Sequence, residues 1–198
     1  MTDDGQLINS PQVLWGVKQY ETLYKDAGLT IDYVFDQKLE NDEGYRIQRI
    51  GKHLTISALT PKGALYGLVD LAEKIRHQIE LPEDWSDKPA LKLRGYALGL
   101  QKPKEHYSGH KAYDWPVTPE HFSWFYDKEH MEKLLNLLAE QRCNFLCFWS
   151  GHPFSYFVTL DRYPEMQELT EEEMKRNREQ LLWICREGEK RGISIFFK

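Results

Sequence analysis

The chain has 198 residues, 41% hydrophobic, 13% aromatic and 29% charged, with a formal net charge of −5. Charges of both signs are spread throughout, so no basic stripe marks a nucleic-acid partner. No apolar run approaches the roughly 20 residues that span a bilayer, so no membrane partner is expected.

The amino terminus lacks the basic-then-apolar pattern of a secretion signal. The three cysteines, Cys143, Cys147 and Cys185, cannot complete a disulfide framework. Together these features predict a reducing, cytoplasmic location. The length allows one large or two small domains.

Ser10-Pro11 is a helix start, a capping hydroxyl followed by proline at the first helical position. Val13, Leu14, Val17, Tyr20, Leu23 and Tyr24 follow at helical spacing, and Gly28 closes the helix. Residues 29–35 alternate like a strand. Residues 45–50 and 53–59 predict a hairpin around Gly51-Lys52. Thr60-Pro61 caps a second helix with Leu65, Leu68, Val69, Ala72 and Ile75 on one face. Residues 81–89, rich in proline and acid, read as a linker, which places a domain boundary at residue 88.

Beyond it, residues 91–98 predict a strand, and residues 100–126 a long aromatic loop. A loop of that length in a compact domain is functional or disordered, and its aromatic content argues against disorder. Residues 127–142 predict an amphipathic helix with Asp127 as its cap and Met131, Leu134, Leu135, Leu138 and Ala139 as its stripe. Residues 144–149 predict a buried strand. Thr170 with Glu173 forms a capping box for a helix over 170–191, and residues 193–197 predict a last strand. The run strand-helix-strand-helix-strand is the opening of an α/β barrel or doubly wound sheet. Chemistry in such folds sits at the carboxyl ends of the strands.

Three segments carry a family resemblance: Glu43-Gly44-Tyr45-Arg46-Ile47, Leu54-Thr55-Ile56-Ser57-Ala58, and Pro61-Lys62-Gly63-Ala64-Leu65-Tyr66-Gly67-Leu68. In this order they resemble the amino-terminal domain that precedes the catalytic barrel in family 20 β-hexosaminidases and family 67 α-glucuronidases. Lys92-Leu93-Arg94-Gly95 resembles the Arg-Gly pair that opens the first barrel strand of the hexosaminidases. Phe148-Trp149-Ser150-Gly151-His152-Pro153-Phe154 and Tyr163-Pro164-Glu165 resemble the second strand-helix unit of related barrel hydrolases. The hexosaminidases carry His-x-x-Asp after the second strand, where this chain has His152-Pro153-Phe154-Ser155. That departure speaks against an N-acetylhexosamine substrate.

The resemblance implies an accessory α/β domain over 1–88 and an incomplete (β/α)8 barrel over 89–198, with the first three strands and two helices. It implies a glycoside hydrolase acting on a carbohydrate, with catalytic carboxylates beyond Lys198 and this chain alone inactive. The alternative is a non-catalytic carbohydrate-binding or interaction module.

Arg94 interrupts an apolar stretch, and its planar fork can grip two vicinal hydroxyls or a carboxylate. A structural ion pair would satisfy it equally. Trp149 can stack on the apolar face of a pyranose, and His152 can hydrogen-bond a hydroxyl; the plainer readings are a core tryptophan and a satisfied loop histidine. These three are the candidate substrate-binding residues. Tyr66 and Gly67 read as packing residues.

Glycosidic cleavage needs two carboxyl groups, about 5–5.5 Å or 6.5–9.5 Å apart. Asp161, Glu165, Asp114 and Glu120 read better as solvated surface groups. His106 and His110 have ligand spacing only on a helix, and Pro103, Ser108 and Gly109 argue for a loop. No metal or cofactor is expected.

Overall fold

A computed structural model describes residues 3–102, 115–150 and 154–198. They form a mixed α/β chain of two compact units. The first is Met1–Leu93 with Ala139–Arg142 and Glu189–Gly192; the second is Arg94–Leu138, Cys143–Gly188 and Ile193–Lys198.

The first unit contains α1 (Asp4–Ile8), α2 (Pro11–Asp26), β1 (Thr30–Phe35), β2 (Tyr45–Ile50), β3 (His53–Ala58), α3 (Pro61–Arg76) and β4 (Asp84–Asp87). The caps are those the sequence predicts. Ser10 Oγ accepts from Val13 N at 3.3 Å, and Thr60 Oγ1 accepts from Gly63 N at 3.2 Å. Gly28 and Gly51 take φ of 67° and 61°, the left-handed turns that end α2 and close the β2–β3 hairpin. The sheet order is β1-β3-β2-β4, with β1 parallel to β3 and the other pairs antiparallel. Ile47, Leu54 and Ile56 share a buried core with Leu65, Leu68 and Leu71 of α3.

Two elements depart from the sequence reading. The expected linker over 81–89 contains β4, which extends the sheet beside β2. It is an edge strand, so its polar residues face solvent, and no hydrophobic alternation announces it. It is held by Trp85, whose Nε1 donates to Asp70 Oδ2 on α3 at 2.7 Å, and by an ion pair of Asp84 with Arg46. The other is α1, which buries only Leu7 and is too short to show a period.

The three family-like segments meet in one seam. A Cβ on residue 63 would lie under 3.0 Å from the Gly44 carbonyl oxygen, and one on residue 67 would lie 2.9 Å from Ile56 Cγ2 and 3.4 Å from the Tyr45 ring. Lys62 pairs with Glu43 at 3.3 Å, and Thr60 Oγ1 donates to the Asp42 carbonyl. The two glycines let α3 lie directly on the sheet.

The second unit contains β5 (Gly95–Gly99), α4 (Ser123–Tyr126), α5 (Lys128–Glu140), β6 (Phe145–Trp149), α6 (Glu171–Lys190) and β7 (Ser194–Phe197). The three strands form a parallel sheet in the order β5-β6-β7. Among the described residues they close no barrel. The strand expected over 91–98 starts later, because Leu91 and Leu93 are exposed. The aromatic segment expected to be irregular holds α4. Asp127 caps α5, its Oδ1 accepting from His130 N at 3.0 Å. The capping box of α6 is reciprocal: Thr170 N donates to Glu173 Oε2 at 2.8 Å, and Glu173 N to Thr170 Oγ1 at 3.3 Å. Among the described residues no helix is long and apolar enough to cross a membrane.

Candidate functional site

Backbone pairing carries the parallel sheet one step past its strands. Leu100 N donates to Trp149 O at 2.7 Å, Lys198 N to Phe148 O at 3.0 Å, and Ser150 N to Lys198 O at 3.0 Å. Leu100, Ser150 and Lys198 therefore form the carboxyl rim. Register divides the strand residues between two faces. Leu98, Phe148 and Phe197 lie on one, where Trp124 and Phe125 of α4 reach Phe148 at ring distances of 6.4 and 5.6 Å. Gly188 lets α6 approach the same face, since a Cβ there would stand 3.2 Å from Ile195. Ala97, Cys147 and Phe196, and then Gly99 and Trp149, occupy the other face.

Trp149 is 53% exposed at the end of β6. Its register partner is Gly99, and a Cβ at Gly99 would meet nothing within 4 Å among the described residues. The indole thus stands beside a residue without a side chain, at the edge where parallel α/β sheets carry their ligands. A flat, exposed indole of this kind offers one apolar ring surface, suited to the C–H face of a sugar. Ser150 is 4% exposed, and its Oγ has no hydrogen-bond partner among the described residues.

Arg94 occupies the opposite edge. It precedes β5 rather than interrupting it, and it is half-buried. Its backbone N donates to Asn144 Oδ1 at 2.9 Å, and its carbonyl accepts from Asn144 N at 2.7 Å and Phe145 N at 3.2 Å. Five strand positions separate this level from Trp149, roughly 16 Å along the sheet. The structure does not bring Arg94 and Trp149 together. The glycine of the Arg-Gly pair has a packing role: a Cβ on Gly95 would lie under 3.0 Å from Phe145 O. His152, like His106, His110 and Asp114, lies outside the described residues.

Asp161 and Glu165 are exposed beyond β6, Glu165 in a short 3-10 turn, and Glu120 is exposed before α4. Among the described residues no group of three histidine, cysteine, aspartate or glutamate side chains could hold a metal ion. All three cysteines are free thiols, and burial pushes those of Cys143 and Cys185 above the ordinary range.

Residues that the sequence reading passed over tie down the segments leading from the carboxyl rim. Asn177 of α6 is 1% exposed. Its Nδ2 donates to Val117 O at 2.9 Å and Tyr156 O at 3.1 Å, and its Oδ1 accepts from the Tyr126 hydroxyl. Gln180, one turn on, donates from Nε2 to Phe125 O at 2.6 Å. The available signal was two amides, Asn177 and Gln180, on the inward stripe of Met174 and Ile184.

No protein-family profile matches the sequence, and no curated protein matches it. Solved structures do, and these neighbours are glycoside hydrolases. A GH138 enzyme targeting pectin rhamnogalacturonan II superposes with a TM-score of 0.82 at 32% identity, over 96% of this chain and 23% of that one. A β-N-acetylhexosaminidase from Bacteroides fragilis gives a TM-score of 0.57 at 16% identity, over 91% of this chain and 37% of that one. A chitobiase of Flavobacterium johnsoniae gives 0.56 at 18% identity, over 94% and 29%. The latter two show a shared fold. The chain spans 23% of the length of the GH138 enzyme.

Proposed function

We propose that this chain is the amino-terminal part of a glycoside hydrolase whose substrate is a pectic oligosaccharide. Residues 1–88 are its accessory α/β domain, and residues 89–198 supply the first three strands of a (β/α)8 barrel. One observation carries the reading: 32% identity sustained over 96% of the chain, with a TM-score of 0.82, to a GH138 enzyme targeting pectin rhamnogalacturonan II.

In this reading Trp149 is a stacking platform for a sugar ring at the carboxyl rim, and His152, three residues on, hydrogen-bonds a hydroxyl of the same glycan. Arg94 acts at a distance from Trp149, holding a sugar hydroxyl or carboxylate that reaches the sheet from its own side, or bracing the strands. The catalytic carboxylates sit on later strands. The bond is then broken by the whole enzyme, and this chain alone binds without turnover.

The test is to incubate the full-length protein and the 198-residue chain separately with oligosaccharides prepared from rhamnogalacturonan II. Release of new reducing ends by the full-length protein, with none from the chain alone, is the expected result. Turnover by the chain alone would overturn the assignment of the carboxylates. Binding without cleavage by the full-length protein would favour a carbohydrate-binding module.

A further inference from the structure

We infer that Asn177 is a positioning residue that makes two separate segments flanking the carboxyl rim move as one. The first, residues 115–126, follows β5; the second, residues 154–169, follows β6. Rings of both segments pack against Phe148 and Phe197, directly beneath the rim that carries Trp149 on its other face, so their placement bears on how that rim is held. The inference rests on the proposed carbohydrate site for its consequence in binding, and on the geometry alone for the coupling.

A single side chain reaches both segments. Asn177 Nδ2 spends one proton on Val117 O at 2.9 Å and the other on Tyr156 O at 3.1 Å. Its Oδ1 accepts from the Tyr126 hydroxyl, which also approaches Val117 O at 3.0 Å. All of the amide's donors are used, and the carbonyls they satisfy are contributed by irregular backbone. Among the described residues neither segment has a strand partner to take those carbonyls instead. Gln180 adds Phe125 O to the first segment, and Gln167 Nε2 fastens the second internally through Ser155 O at 3.0 Å.

An amide suits this role better than an apolar residue. Leucine in its place would fill the volume but remove the amide hydrogen bonds to Val117 O and Tyr156 O, leaving no side chain of α6 that joins the two segments in this way. The aromatic side chains on the two segments also touch: Phe157 meets Phe125 at 6.1 Å and Phe197 at 5.2 Å. Displacing either segment therefore displaces the ring layer beneath the rim. The expected functional effect is on binding rather than on bond breaking, because the carboxylates are proposed to lie on other strands.

The experiment uses the full-length protein and compares wild type, Asn177→Leu, Tyr126→Phe and Trp149→Ala. Native-state hydrogen exchange reads the coupling. Asn177→Leu should raise exchange roughly tenfold or more in 115–126 and 154–169 together, with β5, β6 and β7 unchanged. Tyr126→Phe removes one hydroxyl and should loosen 115–126 alone. Acceleration in only one segment of Asn177→Leu, or in neither, would overturn the inference. If Asn177→Leu does not fold, Tyr126→Phe decides: no acceleration in 115–126 overturns it.

Steady-state turnover of rhamnogalacturonan II oligosaccharides supplies the second readout. Asn177→Leu should raise KM about tenfold with kcat within about threefold, the pattern of lost ground-state positioning. Equal loss in both constants would contradict a positioning role. Failure of the wild-type protein to bind or cleave the probe would refute the carbohydrate reading, and an unchanged affinity in Trp149→Ala would count against Trp149 as its platform; exchange would still judge the coupling.

Discussion

Trp149 stands across the ladder from Gly99, and no described residue lies within 4 Å of the position where a Gly99 Cβ would project. The pair sets an exposed indole beside a residue that has no side chain, on the same face of the sheet. Filling that space should block a ligand without disturbing the fold. Gly99→Leu is expected to leave the urea midpoint of unfolding unchanged and to weaken binding of a pectic oligosaccharide by about tenfold, near 1.4 kcal/mol. Trp149→Ala should have a similar effect in isothermal titration. Unchanged binding in both variants would remove the platform from the site.

Gly95 is the opposite case. A Cβ there would collide with the Phe145 carbonyl, which is backbone and cannot rotate away. Gly95→Ala should part β5 from β6 and cost at least about 2 kcal/mol in denaturant unfolding. A variant as stable as wild type would show that the strands can separate freely at this point.

Trp85 joins β4 to α3 through Asp70, a carboxylate that is 6% exposed and also accepts Lys74 at 3.2 Å. Trp85→Phe keeps most of the ring and removes the donor, so the expected loss is roughly 1.5–3 kcal/mol. Hydrogen exchange should rise first in Asp84–Asp87. If exchange there is unaffected, β4 is held by its backbone pairing and the Asp84–Arg46 ion pair without help from Trp85.

The capping box of α6 should make stability depend on pH. The backbone N–H and the hydroxyl of Thr170 hold the Glu173 carboxyl below its ordinary value of 4.5. A depressed carboxylate stabilises the fold at pH above that ordinary value, and the contribution fades as pH falls through the lower, folded-state value. Thr170→Ala should cost about 1 kcal/mol at neutral pH and noticeably less in acid. Denaturant curves for both proteins at the two pH values check this; an equal cost at both would mean that Glu173 takes no part.

Local signals were the legible ones. Ser10, Thr60, Asp127 and the Thr170–Glu173 pair announce their helices because a cap is complete within four residues. The apolar stripe of α3 is equally readable, as Leu65, Leu68, Val69 and Ala72 are all buried. Strand β4 was not readable, since an edge strand of acidic residues has no buried face to impose alternation. Arg94 looked internal because Leu91 and Leu93 flank it, yet both leucines are exposed. Its separation from Trp149 follows from strand register, which the order of residues does not encode. Asn177 escaped notice for a related reason. Its partners, Val117 and Tyr156, offer backbone carbonyls, and a carbonyl leaves no mark in a sequence.

At the Gly44–Gly63 contact, and again where Gly67 meets Ile56, only a hydrogen atom fits between helix and sheet. Such positions admit a single letter of the amino-acid alphabet, whatever reaction the rest of the protein performs. In the proposed reading, the rim around Trp149 can change with the glycan it meets without touching these positions. Gly63 and Gly67 thus record how a helix lies on its sheet, and carry no information about what the carboxyl rim would hold.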